Sequence, residues 1–102
     1  MASETDRKGL SILIPTYNNV CAELVRALQQ QASAQDGLAF EVLVADDGSS
    51  HRATVKANRE AICPLEHCRY IERETNVGRA RIRNFLAREA QYDWLLFMDS
   101  DM

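Results

Sequence analysis

Four short runs of strand-forming, mostly apolar residues punctuate this chain, and each leads into a polar loop. They are Leu10-Ser11-Ile12-Leu13-Ile14, Phe40-Glu41-Val42-Leu43-Val44-Ala45, Cys68 to Glu72, and Trp94-Leu95-Leu96-Phe97-Met98. An apolar run without polar alternation marks a strand covered on both faces, the habit of parallel sheets. Pro15 is expected to stop the first strand. Between the runs, apolar residues recur at helical spacing. Val20, Cys21, Leu24, Val25 and Leu28 predict a helix from Val20 to about Ala34, and Ile82, Phe85, Leu86 and Ala90 predict one from Gly78 to Ala90. After the Asp46-Asp47-Gly48 turn, Ser49 or Ser50 can cap a third helix reaching about Ala61. Strands separated by helices build βαβ units. The expected fold is therefore α/β: a three-layer α/β/α arrangement around a mainly parallel, twisted, Rossmann-like sheet of about four strands.

That topology gathers the loops. In a parallel sheet the loops after the strands converge on one edge, where ligands of such folds collect. Thr16-Tyr17-Asn18-Asn19, Asp46-Asp47-Gly48-Ser49, Asn76-Val77-Gly78 and Asp99-Ser100-Asp101 would line one cleft although scattered along the chain. Asp99 and Asp101, two apart in extended chain, point to one side and either hold a hard cation or close a solvated turn. Asp46 and Asp47 either cap the helix that follows or turn a carboxylate toward the hydroxyls or imino group of a nucleotide. Arg79, Arg81 and Arg83 crowd the positive end of the last helix, an arrangement that suits either an anion or pairing with Glu72, Glu74 and Glu89. Tyr17 either stacks on a base or closes the core beneath its loop.

Length and composition narrow the alternatives. A chain of 102 residues allows one domain, residues 1–102, with residues 1–9 read as a flexible polar lead. The net charge of -3 carries no footprint for nucleic acid or an anionic membrane surface. No apolar stretch approaches a membrane span and no signal segment is evident, so the cytoplasm is the expected compartment. Cys21, Cys63 and Cys68 fit no zinc or redox spacing and are read as reduced thiols.

Taken in order, Ser11 to Asn19, Val42 to Ser50, Asn76-x-Gly78 with Arg83-Asn84, and Phe97-Met98-Asp99-Ser100-Asp101 resemble the signature of family 2 glycosyltransferases. The resemblance implies the N-terminal, nucleotide-sugar-binding half of a GT-A fold. It implies metal-dependent transfer of a sugar from a nucleoside diphosphate donor to a saccharide, lipid or protein acceptor, with inversion at the anomeric carbon. By position, Pro15 and Tyr17 correspond to the loop beside the base, Asp47 to the residue contacting it, and Arg83 and Asn84 to residues near the nucleotide and phosphates. Asp99 would face the ribose, and Asp101 would ligate Mn²⁺ or Mg²⁺. The sequence departs from the pattern in having Ile82 before Arg83-Asn84 and additional arginines at Arg79 and Arg81. The resemblance also implies that the general base lies beyond Met102, so that this chain alone is expected to be inactive or nearly so.

Other classes fit less well. A phospho-receiver domain carries its acid pair after the first strand and a later lysine, whereas here the pair follows the second strand and no lysine follows Lys56. A sugar nucleotidyltransferase would carry a glycine-rich, lysine-bearing loop after the first strand, which is absent. A noncatalytic nucleotide-sugar-binding or assembly module remains the alternative. The outer edge and apolar side chains of the fourth strand are expected to favour self-association.

Overall fold

The computed structural model describes residues 8–100. Its elements run β1 (Leu10–Thr16), α1 (Ala22–Ser33), β2 (Phe40–Asp47), α2 (Arg52–Ile62), β3 (Cys68–Arg73), α3 (Arg79–Glu89) and β4 (Trp94–Phe97). The four strands form one sheet in the order β3-β2-β1-β4. All three pairings are parallel, with Ile12 opposite Val42 and Leu96, and Val44 opposite Tyr70.

Strand alternation divides the core between two faces. Ile12, Ile14, Val42 and Val44 pack with Val25 of α1 and Ile62 of α2. Leu13, Leu43 and Ala45 pack with Ile82 and Leu86 of α3. Helices therefore cover both faces, giving the expected three layers, and β2 is buried along its whole length.

Three local expectations are corrected. Pro15 does not end β1, which continues to Thr16 opposite Asp46. Leu13 O accepts from Met98 N, so residues of that parity turn their backbone groups toward β4. Pro15 shares the parity, but pairing with β4 ends at Leu13, so its missing N–H breaks no ladder. Neither Ser49 nor Ser50 caps α2; His51 occupies the cap position, and both serine hydroxyls instead accept hydrogen bonds from Asn18. The fourth apolar run is not covered on both faces. Among the described residues β4 lies at the edge of the sheet, with Trp94 73% and Leu95 and Leu96 more than 40% exposed, as α3 packs over β1 and β2.

Candidate functional site

A cleft of about 530 Å³ opens at the carboxyl ends of the strands. Pro15, Thr16, Tyr17 and Asn19 supply one wall, Asp47 and Asn76 the floor, Gly78, Arg79 and Ile82 another wall, and Asp99 and Ser100 the rim beyond β4.

Hydrogen bonds join the four loops into one frame. Asn18 N donates to Ser49 Oγ at 2.7 Å, and Asn18 Oδ1 accepts from His51 N at 3.0 Å, tying the β1 loop to the β2 loop. Asn18 holds its bend with φ 52°, a left-handed conformation that asparagine tolerates. Asn19 Nδ2 donates to Ser100 Oγ at 3.1 Å, linking the β1 loop to the rim beyond β4. Asn76 Nδ2 donates to Asp47 O at 3.0 Å, linking the β2 and β3 loops. Gly48 makes that approach possible: φ is 72°, and a Cβ there would sit 2.5 Å from Asn76 N.

The two adjacent acids have different surroundings. Asp46 accepts from Ser49 N at 2.7 Å and from the Tyr70 hydroxyl at 2.8 Å, which makes it structural. Burial, reinforced by the hydrogen bond to Asp46, pushes the Tyr70 phenol above its usual range. Asp47 is 5% exposed and lines the cleft. Its Oδ1 accepts from Val77 N at 2.8 Å and its Oδ2 from Gly78 N at 3.0 Å, so the start of α3 fixes its orientation. An ionised carboxylate has about four acceptor positions, so two such bonds leave capacity for a ligand donor.

Pro15, Tyr17, Asp47 and Asp99 are brought together in the cleft, but Arg83 and Asn84 are not among its lining residues. The Arg83 guanidinium lies over the Phe97 ring, 4.3 Å from its centroid, and Asn84 lines a second groove on the other flank of α3. Helical rotation accounts for the separation: the cleft is met by Gly78, Arg79 and Ile82, the face nearest the β1 and β4 loops. Arg79 is the guanidinium in the wall. Asp101 lies outside the described residues.

Asn58 was not singled out by its sequence. Fully buried in α2, it accepts from Cys21 N at 2.9 Å through Oδ1 and donates from Nδ2 to Asn19 O at 2.9 Å, fixing the β1 loop from behind. Its signal was an amide on the apolar stripe between Val55 and Ile62. Burial also raises the neighbouring Cys21 thiol to about 11.

Among the described residues no group of three or more His, Cys, Asp or Glu could hold a metal. The donors at the rim are nevertheless hard oxygens: Asp99, the Ser100 hydroxyl and the Asn19 amide. One or two carboxylates completed by phosphate oxygens and water are the usual protein contribution to a magnesium-type site, so this donor set fits.

The family described as Glycosyl transferase family 2 matches residues 11–102. An uncharacterized glycosyltransferase of Haemophilus influenzae is 38% identical over 94 residues, which cover 90% of this chain and 29% of that protein. A chondroitin synthase of Escherichia coli is 32% identical over 97 residues, covering 92% of this chain and 13% of its own length. A crystal structure of S. aureus TarS 1-349 in complex with UDP-GlcNAc superposes with a TM-score of 0.69 at 28% identity, over 91% of this chain and 26% of that one. The chain thus spans less than a third of each of these relatives. With the matched residues running from β1 through all four cleft loops, the chain belongs to glycosyl transferase family 2.

Proposed function

We propose that the cleft binds a nucleoside diphosphate sugar and that this chain is the donor-binding part of a metal-dependent, inverting glycosyltransferase. The observation that carries this reading is Asp47: buried, held by two backbone amides and open to a cleft at the carboxyl end of a parallel sheet. The TarS complex with UDP-GlcNAc supports a donor of this chemical class.

Each wall residue has a role that follows from its chemistry. Asp47 accepts a hydrogen bond from the base, and the exposed Tyr17 ring with Pro15 provides the surface on which the base lies. Asp99 accepts from the ribose hydroxyls. The Arg79 guanidinium faces the diphosphate and stabilises the charge that grows on it as the glycosidic bond breaks. Arg83 is a positioning residue: stacked on Phe97, it holds the strand that delivers Asp99. A divalent cation, Mn²⁺ or Mg²⁺, held by Asp101 would supply further positive charge to the diphosphate.

Calorimetric titration with UDP, GDP and their sugars, with and without Mn²⁺, tests the reading. At least one diphosphate should bind, more tightly with Mn²⁺. Failure of every diphosphate to bind in the presence of metal would overturn the donor site, and binding indifferent to metal would remove the role given to Asp101.

A further inference from the structure

The far flank of α3 carries a second concavity, of about 260 Å³, lined by Arg73, Val77, Arg81, Asn84, Phe85 and Arg88. Three of its six lining residues are arginines, in a chain whose net charge is -3. The ion pairs nearby are made by other residues: Arg69 with Glu89 at 3.2 Å and Arg59 with Glu72 at 2.6 Å. Among the described residues Arg73, Arg81 and Arg88 have no carboxylate partner. Arg73 is nonetheless held in place, its guanidinium 4.0 Å from the centroid of the Phe85 ring. Three unneutralised guanidiniums around one groove repel one another and leave their donors to water, a cost that an anionic ligand would reverse.

We propose that this groove binds an anionic polysaccharide chain, recognised through repeated carboxylate, sulfate or phosphate groups. Arg81 and Arg88 are seven residues apart, two helical turns or about 10 Å along the axis, which suits successive charges of an extended chain better than one small ion. Guanidinium forks bind planar and tetrahedral oxyanions bidentately. Beside them, Val77 offers an apolar contact and Asn84 an amide, which suit the body of a sugar. The groove meets the cleft at adjacent residues, Val77 in one and Gly78 in the other, yet the two share no lining residue.

Titration of the chain with fluorescent dextran sulfate, beside neutral dextran and beside vesicles of phosphatidylcholine with phosphatidylglycerol, tests the proposal. The chain should bind dextran sulfate, ignore neutral dextran and lose affinity as salt rises. Arg81→Gln with Arg88→Gln should weaken binding about ten- to hundredfold, each single variant less, and none should alter UDP titration. Arg26→Gln with Arg52→Gln, on the helices of the opposite face, should bind as the parent does. Equal loss in both pairs, no loss in the groove pair, or binding to the vesicles in place of dextran sulfate would overturn it. UDP titration reads the donor site separately, so failure of one proposal leaves the other standing.

Discussion

Each end of the sheet buries a β2 acid that accepts two hydrogen bonds, Glu41 at one end and, beside the structural Asp46, Asp47 at the other. At the amino end Glu41, 6% exposed, accepts from Ser11 Oγ at 2.7 Å and from Gln91 N at 2.6 Å, while Tyr92 N donates to Ser11 Oγ. At the carboxyl end Asp47, 5% exposed, accepts from Val77 N and Gly78 N. Both join β2 to a neighbouring connection through backbone amides. Of the two, Asp47 lines the 530 Å³ cleft and Glu41 does not. Burial and hydrogen bonding therefore do not by themselves mark a functional acid; spare acceptor capacity directed into a cavity does.

The sharpest way to break this contrast is to substitute both acids. Asp47→Ala should lower diphosphate binding more than about tenfold and cost about 1–3 kcal/mol of stability, since two amides lose their acceptor. Glu41→Ala should cost a similar stability, read by denaturant titration, and leave binding intact. Equal loss of binding in the two variants would dissolve the distinction. A second test lies within α3: Arg79→Gln should weaken UDP about tenfold while leaving uridine unaffected, whereas Arg83→Gln should act weakly on both.

The contrast concerns a single chain, and β4 offers a route out of that state. Among the described residues its outer edge is unpaired, and Trp94, Leu95 and Leu96 are exposed. Self-association is expected in concentrated solution, and Trp94→Lys with Leu96→Lys should abolish it without touching UDP binding. A strictly monomeric parent by ultracentrifugation would contradict this.

The smallest effect is the response to alkali. Cys21 and Tyr70 support the cleft end, and burial raises both, Cys21 from 9.0 to about 11. Because the folded thiol holds its proton more tightly, its contribution is complete below about pH 9 and is lost as pH rises toward 11. The slope is at most about 1.4 kcal/mol per pH unit for one group. Cys21→Ala should flatten that decline in denaturant titrations, and an unchanged slope would count against it.

Much of this was legible in the sequence because it depends on short-range pattern. Unalternating runs gave parallel strands, and the parallel sheet then gathered four distant loops. What the pattern missed depends on partners in space. Pro15 reads as a stop until pairing with β4 proves to end before it. Trp94 to Phe97 reads as buried because an apolar run does not reveal whether a helix will cover it. Arg79 and Arg83 share a helical face by spacing, yet one enters the cleft while the other lies on Phe97. Asn58 was hidden on an apolar stripe. The groove of Arg73, Arg81 and Arg88 disappears in a net charge summed over the whole chain.

The most direct measurement is backbone amide NMR of the chain titrated with UDP and Mn²⁺. Val77, Gly78, Asn19 and Ser100 should shift together, while Gln91 and Tyr92, beside Glu41 at the opposite end, should stay in place. Shifts concentrated at Gln91 and Tyr92, or no shifts at the four cleft positions under saturating UDP and Mn²⁺, would contradict the assignment of the donor cleft.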